Sequence, residues 1–192
     1  MRTFSFRPAL TIRGRTFKGL RGWAGKPLHP PLTDVPIGAY VLAAACDVAS
    51  TIGGSSHPWG RDFYRAGSFV LIGGAGVSLL AAATGLWDRQ RSTERGTQAR
   101  RTVNAHMALM STVTALVLAN IAVRMACYWD ERSTPLAALL LSVIAALVTL
   151  IGSTIGGSLV FDYGFNVETA GDHPVWNRSE TDVFPGKRSA DG

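Results

Sequence analysis

The stretch Lys26–Gly38, KPLHPPLTDVPIG, decides how the chain is read, because it opens directly into the apolar run Ala39–Cys46. Pro27, Pro30 and Pro31 lack a backbone donor and bias the residue before each away from helix, so they predict an extended approach. Thr33 or Asp34 then caps the helix that follows, and Pro36 falls in its first turn, where a missing N–H costs nothing. A histidine and an aspartate at the mouth of an apolar helix are expensive in a bilayer unless they meet partners. His29 and Asp34 therefore call for partners elsewhere in the chain.

Working outward, the apolar residues of the 192-residue chain gather in four long runs. They cover about Leu32–Thr51, Phe63–Trp87, Thr102–Tyr128 and Pro135–Phe161. The mean hydropathy of +0.17 hides this, because polar ends dilute apolar middles. Each run is long enough, at 1.5 Å per helical residue, to cross about 30 Å of hydrocarbon. The expectation is an all-α fold, an integral membrane four-helix bundle with short polar tails. Residues 1–25 form a basic arm, 26–168 the transmembrane domain, and 169–192 an irregular polar tail that can fold back near Val175–Trp176. The second run is rich in glycine and alanine, and the fourth carries Gly152-Ser-Thr-Ile-Gly156 followed by Gly157. Small residues at that spacing let membrane helices approach closely, so Gly156 and Gly157 are expected at a helix interface.

The net charge of +6 is unevenly placed. Seven basic side chains and no acid precede Asp34, and five arginines follow within the 88–102 connection. With three more in the C-terminal tail, 15 basic residues stand on one side of the membrane against Arg61, Arg65 and Arg132 on the other. The positive-inside rule then puts both termini in the cytoplasm of a bacterial cell, with the bundle in the inner membrane. Basic residues beside membrane helices serve topology and anionic lipid; no nucleic-acid-binding motif accompanies them, which excludes a nucleic-acid partner. The arm, with Phe4, Phe6, Phe17 and Trp23 among its arginines, reads either as a segment lying on the inner membrane surface or as a tail that only sets topology. Cys46 and Cys127 lie in no metal-binding spacing and read as two packed thiols rather than a bridge.

This orientation fixes depth. Helices that alternate in direction bring His29 and Asp34, Asp88, Asn104 and His106, and Asp162 and Tyr163 to one level near the inner face. Three chemistries suit such a layer. Two neutral imidazoles on different helices can hold haem b from both faces, with His29 and His106 as the ligands. The same histidines with Asp34 and Asp88 can hold a divalent metal. A His–Asp lock between helices, or a proton relay, needs no cofactor at all. Near the outer face, Asp47 is expected to pair with Arg124 for structural reasons, while His57 and His173 read as solvent-exposed. No GxSxG, HExxH or phosphate-binding loop is present, so no catalytic machinery is assigned.

KPLHPPLTDVPIG, the AATGLWD that ends the second run, the NAH that opens the third and the GGSLVFDYGFNV that closes the fourth resemble the domain-of-unknown-function family 2231, bacterial membrane proteins with four helices. The resemblance spans about residues 26–168 and covers His29, Pro30, Asp88, His106, Gly156, Gly157 and Tyr163. Some members carry a fused Rieske iron–sulfur domain, which implies an electron-transfer partner; this chain lacks the Cys-His pairs such a cluster needs. The expected function is a non-catalytic inner-membrane module, in contact with the lipid bilayer, that works with a redox partner and holds haem b or a metal near the inner leaflet. The alternative is a structural or lipid-contacting membrane protein without cofactor.

Overall fold

A computed structural model describes residues 10–12, 15–17, 20, 27–92 and 95–165. It contains four helices, α1 (His29–Gly53), α2 (Pro58–Ser92), α3 (Gln98–Cys127) and α4 (Leu136–Phe161). A small antiparallel hairpin, β1 (Leu10–Ile12) and β2 (Arg15–Phe17), precedes them, with Leu10 opposite Phe17 and Ile12 opposite Arg15. The hairpin lies inside the basic arm, where no strand was expected. The remainder of the arm, His173 and the region of Val175–Trp176 lie outside the described residues.

All four helices are long and apolar enough to cross a membrane. Each is joined to the next by a short connection, so neighbours run antiparallel. The helices α1 and α2 pack together, as do α3 and α4, and the ring closes through contacts of α1 with α4 and α2 with α3.

The start of α1 differs from expectation. It begins at His29, so Pro30 and Pro31 occupy its first turn, where their missing N–H groups cost nothing. Leu28 stands at the cap position without a side-chain bond. Thr33 donates to the Pro30 carbonyl at 2.7 Å from inside the helix rather than capping it, and Asp34 is exposed. Pro36 is therefore an interior proline, buried against the bundle. Pro30 and Pro31, with φ fixed near the helical value, start the helix ahead of the expected caps.

The bundle is sorted for lipid. Its axis is lined by small and aromatic residues, Tyr40, Ala43, Leu71, Ala75, Val113, Val117 and Ala145. Large aliphatic and aromatic side chains such as Leu42, Phe69, Leu80, Leu140 and Leu147 point outward. Buried polar groups include Asp47, Ser50, Asn120, Arg124, Ser142 and Thr149. Hydrocarbon offers no hydrophobic drive between helices, so close packing of small residues and internal hydrogen bonds hold the bundle. Cys46 and Cys127 are both free thiols. Cys127 is exposed rather than packed, on the outer face of a turn whose Arg124 points inward.

Candidate functional site

His29, the first residue of α1, and His106, in the third turn of α3, meet across the bundle axis. Their ring centroids are 6.5 Å apart and their planes stand at 81°. Each ring is held by its own hairpin partner. The Nδ1 of His29 lies 2.9 Å from the Ala81 carbonyl of α2. The Nδ1 of His106 lies 2.9 Å from the Gly152 carbonyl of α4. A carbonyl only accepts, so each Nδ1 carries the proton and donates it, which leaves the lone pair of the neutral ring on Nε2. That second-shell arrangement is the one imidazoles adopt when Nε2 is a metal ligand.

Glycine makes room for both rings. A Cβ on Gly85, one turn beyond Ala81, would stand 2.6 Å from Cε1 of His29. A Cβ on Gly156, one turn beyond Gly152, would stand 3.0 Å from Cε1 of His106. Gly156 is thus at a helix interface as expected. Gly157 is not in the same position: its nearest neighbour is Phe161 of its own helix at 3.9 Å.

The other members of the expected layer divide. Asp88 is buried, near enough to bear on the charge of His29, and accepts the Leu20 N–H at 2.8 Å. That contact ties Leu20 of the arm to α2. Asn104 instead accepts from Arg89 at 3.0 Å, and the Tyr163 hydroxyl accepts from Thr102 at 3.3 Å. Asp34 is exposed. Among the described residues no three His, Cys, Asp or Glu side chains gather closely enough to hold a metal ion. The set His29, Asp34, Asp88 and His106 is therefore not assembled as a metal centre, since starting α1 at His29 turns Asp34 away from the axis. What assembles is the histidine pair.

Three turns deeper along the same stripe of α1, Tyr40 is 3% exposed. Its hydroxyl has no hydrogen-bond partner among the described residues. The neighbouring Ser78 donates to the Ala75 carbonyl at 2.9 Å, which leaves its oxygen able to accept from Tyr40.

At the other end of the axis Asp47 and Arg124 form the expected ion pair, 0% and 2% exposed. The guanidinium also donates to Asn120 at 2.9 Å, Ser68 at 2.7 Å and Ser142 at 3.1 Å. It stacks over the Tyr64 ring at 5.0 Å. The second Asp47 oxygen accepts from Thr134 at 3.1 Å. Sequence reasoning paired Asp47 with Arg124 but missed this shell, whose Ser, Thr and Asn residues look like ordinary membrane-helix polar residues until the helices are packed. His57 is exposed, as expected, with Nδ1 3.0 Å from the Gly53 carbonyl.

Residues 25–169 match the family model described as a predicted membrane protein, DUF2231. The chain belongs to this family. The match contains the whole bundle and both ends of its axis, so the histidine pair and the ion pair are features of this chain's family domain rather than of its tails. No curated protein and no solved structure matches the chain.

Proposed function

We propose that this DUF2231 protein is a non-catalytic module of the bacterial inner membrane, with both termini cytoplasmic, that holds haem b between His29 and His106 and exchanges electrons with a redox partner. The observation that supports the reading is the spacing and anchoring of the two rings. Two iron–nitrogen bonds of about 2 Å, with each centroid a further ~1 Å back, separate trans imidazole centroids by about 6 Å. The rings here stand 6.5 Å apart, too far for a direct bond between their nitrogens and close to that figure. The room that Gly85 and Gly156 leave for the two rings, which holds each imidazole on the axis, also supports the reading. Bound there, haem supplies one-electron chemistry. The chain's own residues fix the imidazole tautomers, exclude lipid and keep Asp88 beside His29.

The test is the visible spectrum of protein purified from haem-replete cells, repeated after titration with hemin. A sharp Soret band that His106→Ala and His29→Ala each change is the expected result. A colourless protein that takes up no hemin would leave the structural, cofactor-free role. Orientation is tested separately with a C-terminal alkaline-phosphatase fusion, which is expected to be inactive; strong activity would place the C-terminus outside.

A further inference from the structure

The two hairpins share a set of buried positions on a single pair of offsets. Shifting α1 by 77 residues carries His29 onto His106, and the buried Pro36, Tyr40, Ala43 and Asp47 onto the buried Val113, Val117, Asn120 and Arg124. Shifting α2 by 71 residues carries the buried Gly67, Leu71, Gly74, Ala75 and Ala81 onto the buried Ala138, Ser142, Ala145, Ala146 and Gly152. The same shift carries Gly85, beneath His29, onto Gly156, beneath His106. The hydrogen bonds obey it too: His29 to Ala81 and His106 to Gly152 are one bond seen twice, each 2.9 Å. Because α1 runs parallel to α3 and α2 to α4, the operation relating the halves is a rotation about the bundle axis, the parallel-repeat arrangement of some membrane proteins.

We infer that the chain is two tandem copies of one helical hairpin, each copy the docking surface of the other, and that Asp47 and Arg124 are the key that joins unlike halves. The axis is crossed by side chains at two levels, 18 residues apart on both helices. At one level the repeats carry the same residue, histidine. At the other they carry opposite charges at one equivalent position, buried from solvent. Two first halves meeting about this axis would bring two carboxylates together there, and two second halves would bring two guanidiniums together. Both pairings bury like charges, and only the unlike pairing neutralises them. The partner each face fits is therefore the complementary hairpin, supplied by the same chain. The inference stands apart from haem: it concerns how the halves recognise each other, whatever the histidine pair binds.

Exchange of the two charges in the full-length protein tests it. Asp47→Arg alone and Arg124→Asp alone should each abolish the cooperative thermal transition in detergent and give aggregated protein. The double exchange Asp47→Arg/Arg124→Asp should restore a monodisperse, cooperatively melting protein, because the positions are equivalent about the axis. Asn120, which accepts from Arg124 one turn back, corresponds to Ala43, so Ala43→Asn added to the double exchange carries that acceptor across as well. Recovery in either the double or the triple variant upholds the inference. If both behave like the worse single variant, the positions are not equivalent and the inference falls.

Discussion

The histidine-pair and ion-pair ends of the bundle axis, inner and outer in the proposed orientation, are made by the same two helices, α1 and α3, yet they are finished differently. At the outer end the guanidinium of Arg124 donates to Asp47, Asn120, Ser68 and Ser142, and Asp47 also accepts from Thr134. At the inner end each histidine makes one bond to a carbonyl of its own hairpin and keeps a lone pair, over a glycine. Membrane helices place ionisable groups on an axis for two different reasons, and satisfaction separates them. A site whose hydrogen-bonding capacity is used up holds helices together. A site with capacity left over is shaped for something else to complete it.

Breaking the outer end should have the largest effect. Arg124→Ala leaves a buried carboxylate, and Asp47→Ala a buried guanidinium, each expected to cost about 3–5 kcal/mol of stability, read from unfolding in detergent. A loss below about 1 kcal/mol, the value of a solvated pair, would show that water reaches this end and that the contrast is false. At the inner end, Gly85→Leu or Gly156→Leu drives a side chain into a histidine ring. Each should cost about 1–3 kcal/mol and displace the ring, whereas Gly157→Ala, with only Phe161 at 3.9 Å, should melt like wild type. His106→Ala removes one bond to the Gly152 carbonyl and should cost about 1 kcal/mol, yet abolish haem uptake in a hemin titration. A large stability loss with haem uptake unchanged would move the inner end into the same class as the outer. Smallest of all, Tyr40→Phe should leave the stability of haem-free protein unchanged or slightly raised, because the hydroxyl it deletes has no hydrogen-bond partner among the described residues. A clear loss of stability would mean that the hydroxyl is bonded after all.

The fold was legible because it rests on the coarsest signal in the chain, four apolar runs of spanning length separated by charge. The histidine pair was legible too, since alternating helix direction alone puts residue 29 and residue 106 at one depth. Asp34 was misplaced for a local reason. A cap was assigned to Thr33 or Asp34, but Pro30 and Pro31 start α1 at His29, and a residue five positions on lies about 140° round the helix, on the exposed face. The strands of the arm left no reading in a segment of basic and aromatic residues with scattered glycines. The repeat was hidden because its halves share burial more than identity: Tyr40 answers to Val117, Leu71 to Ser142 and Asp47 to Arg124. Burial at a position follows from the backbone, and many residues satisfy it, so the symmetry survives in the packing after it has faded from the letters.

Pro36 gives the two histidines unequal mountings. It sits buried inside α1, seven residues beyond His29, and has no N–H to give the Leu32 carbonyl one turn back. The helix bends most easily at such a point. His106 stands on α3, whose 30 residues contain no proline. The turn that carries His29 is thus joined to the rest of α1 across one missing backbone bond, whereas the turn that carries His106 is joined to α3 through a stretch without proline.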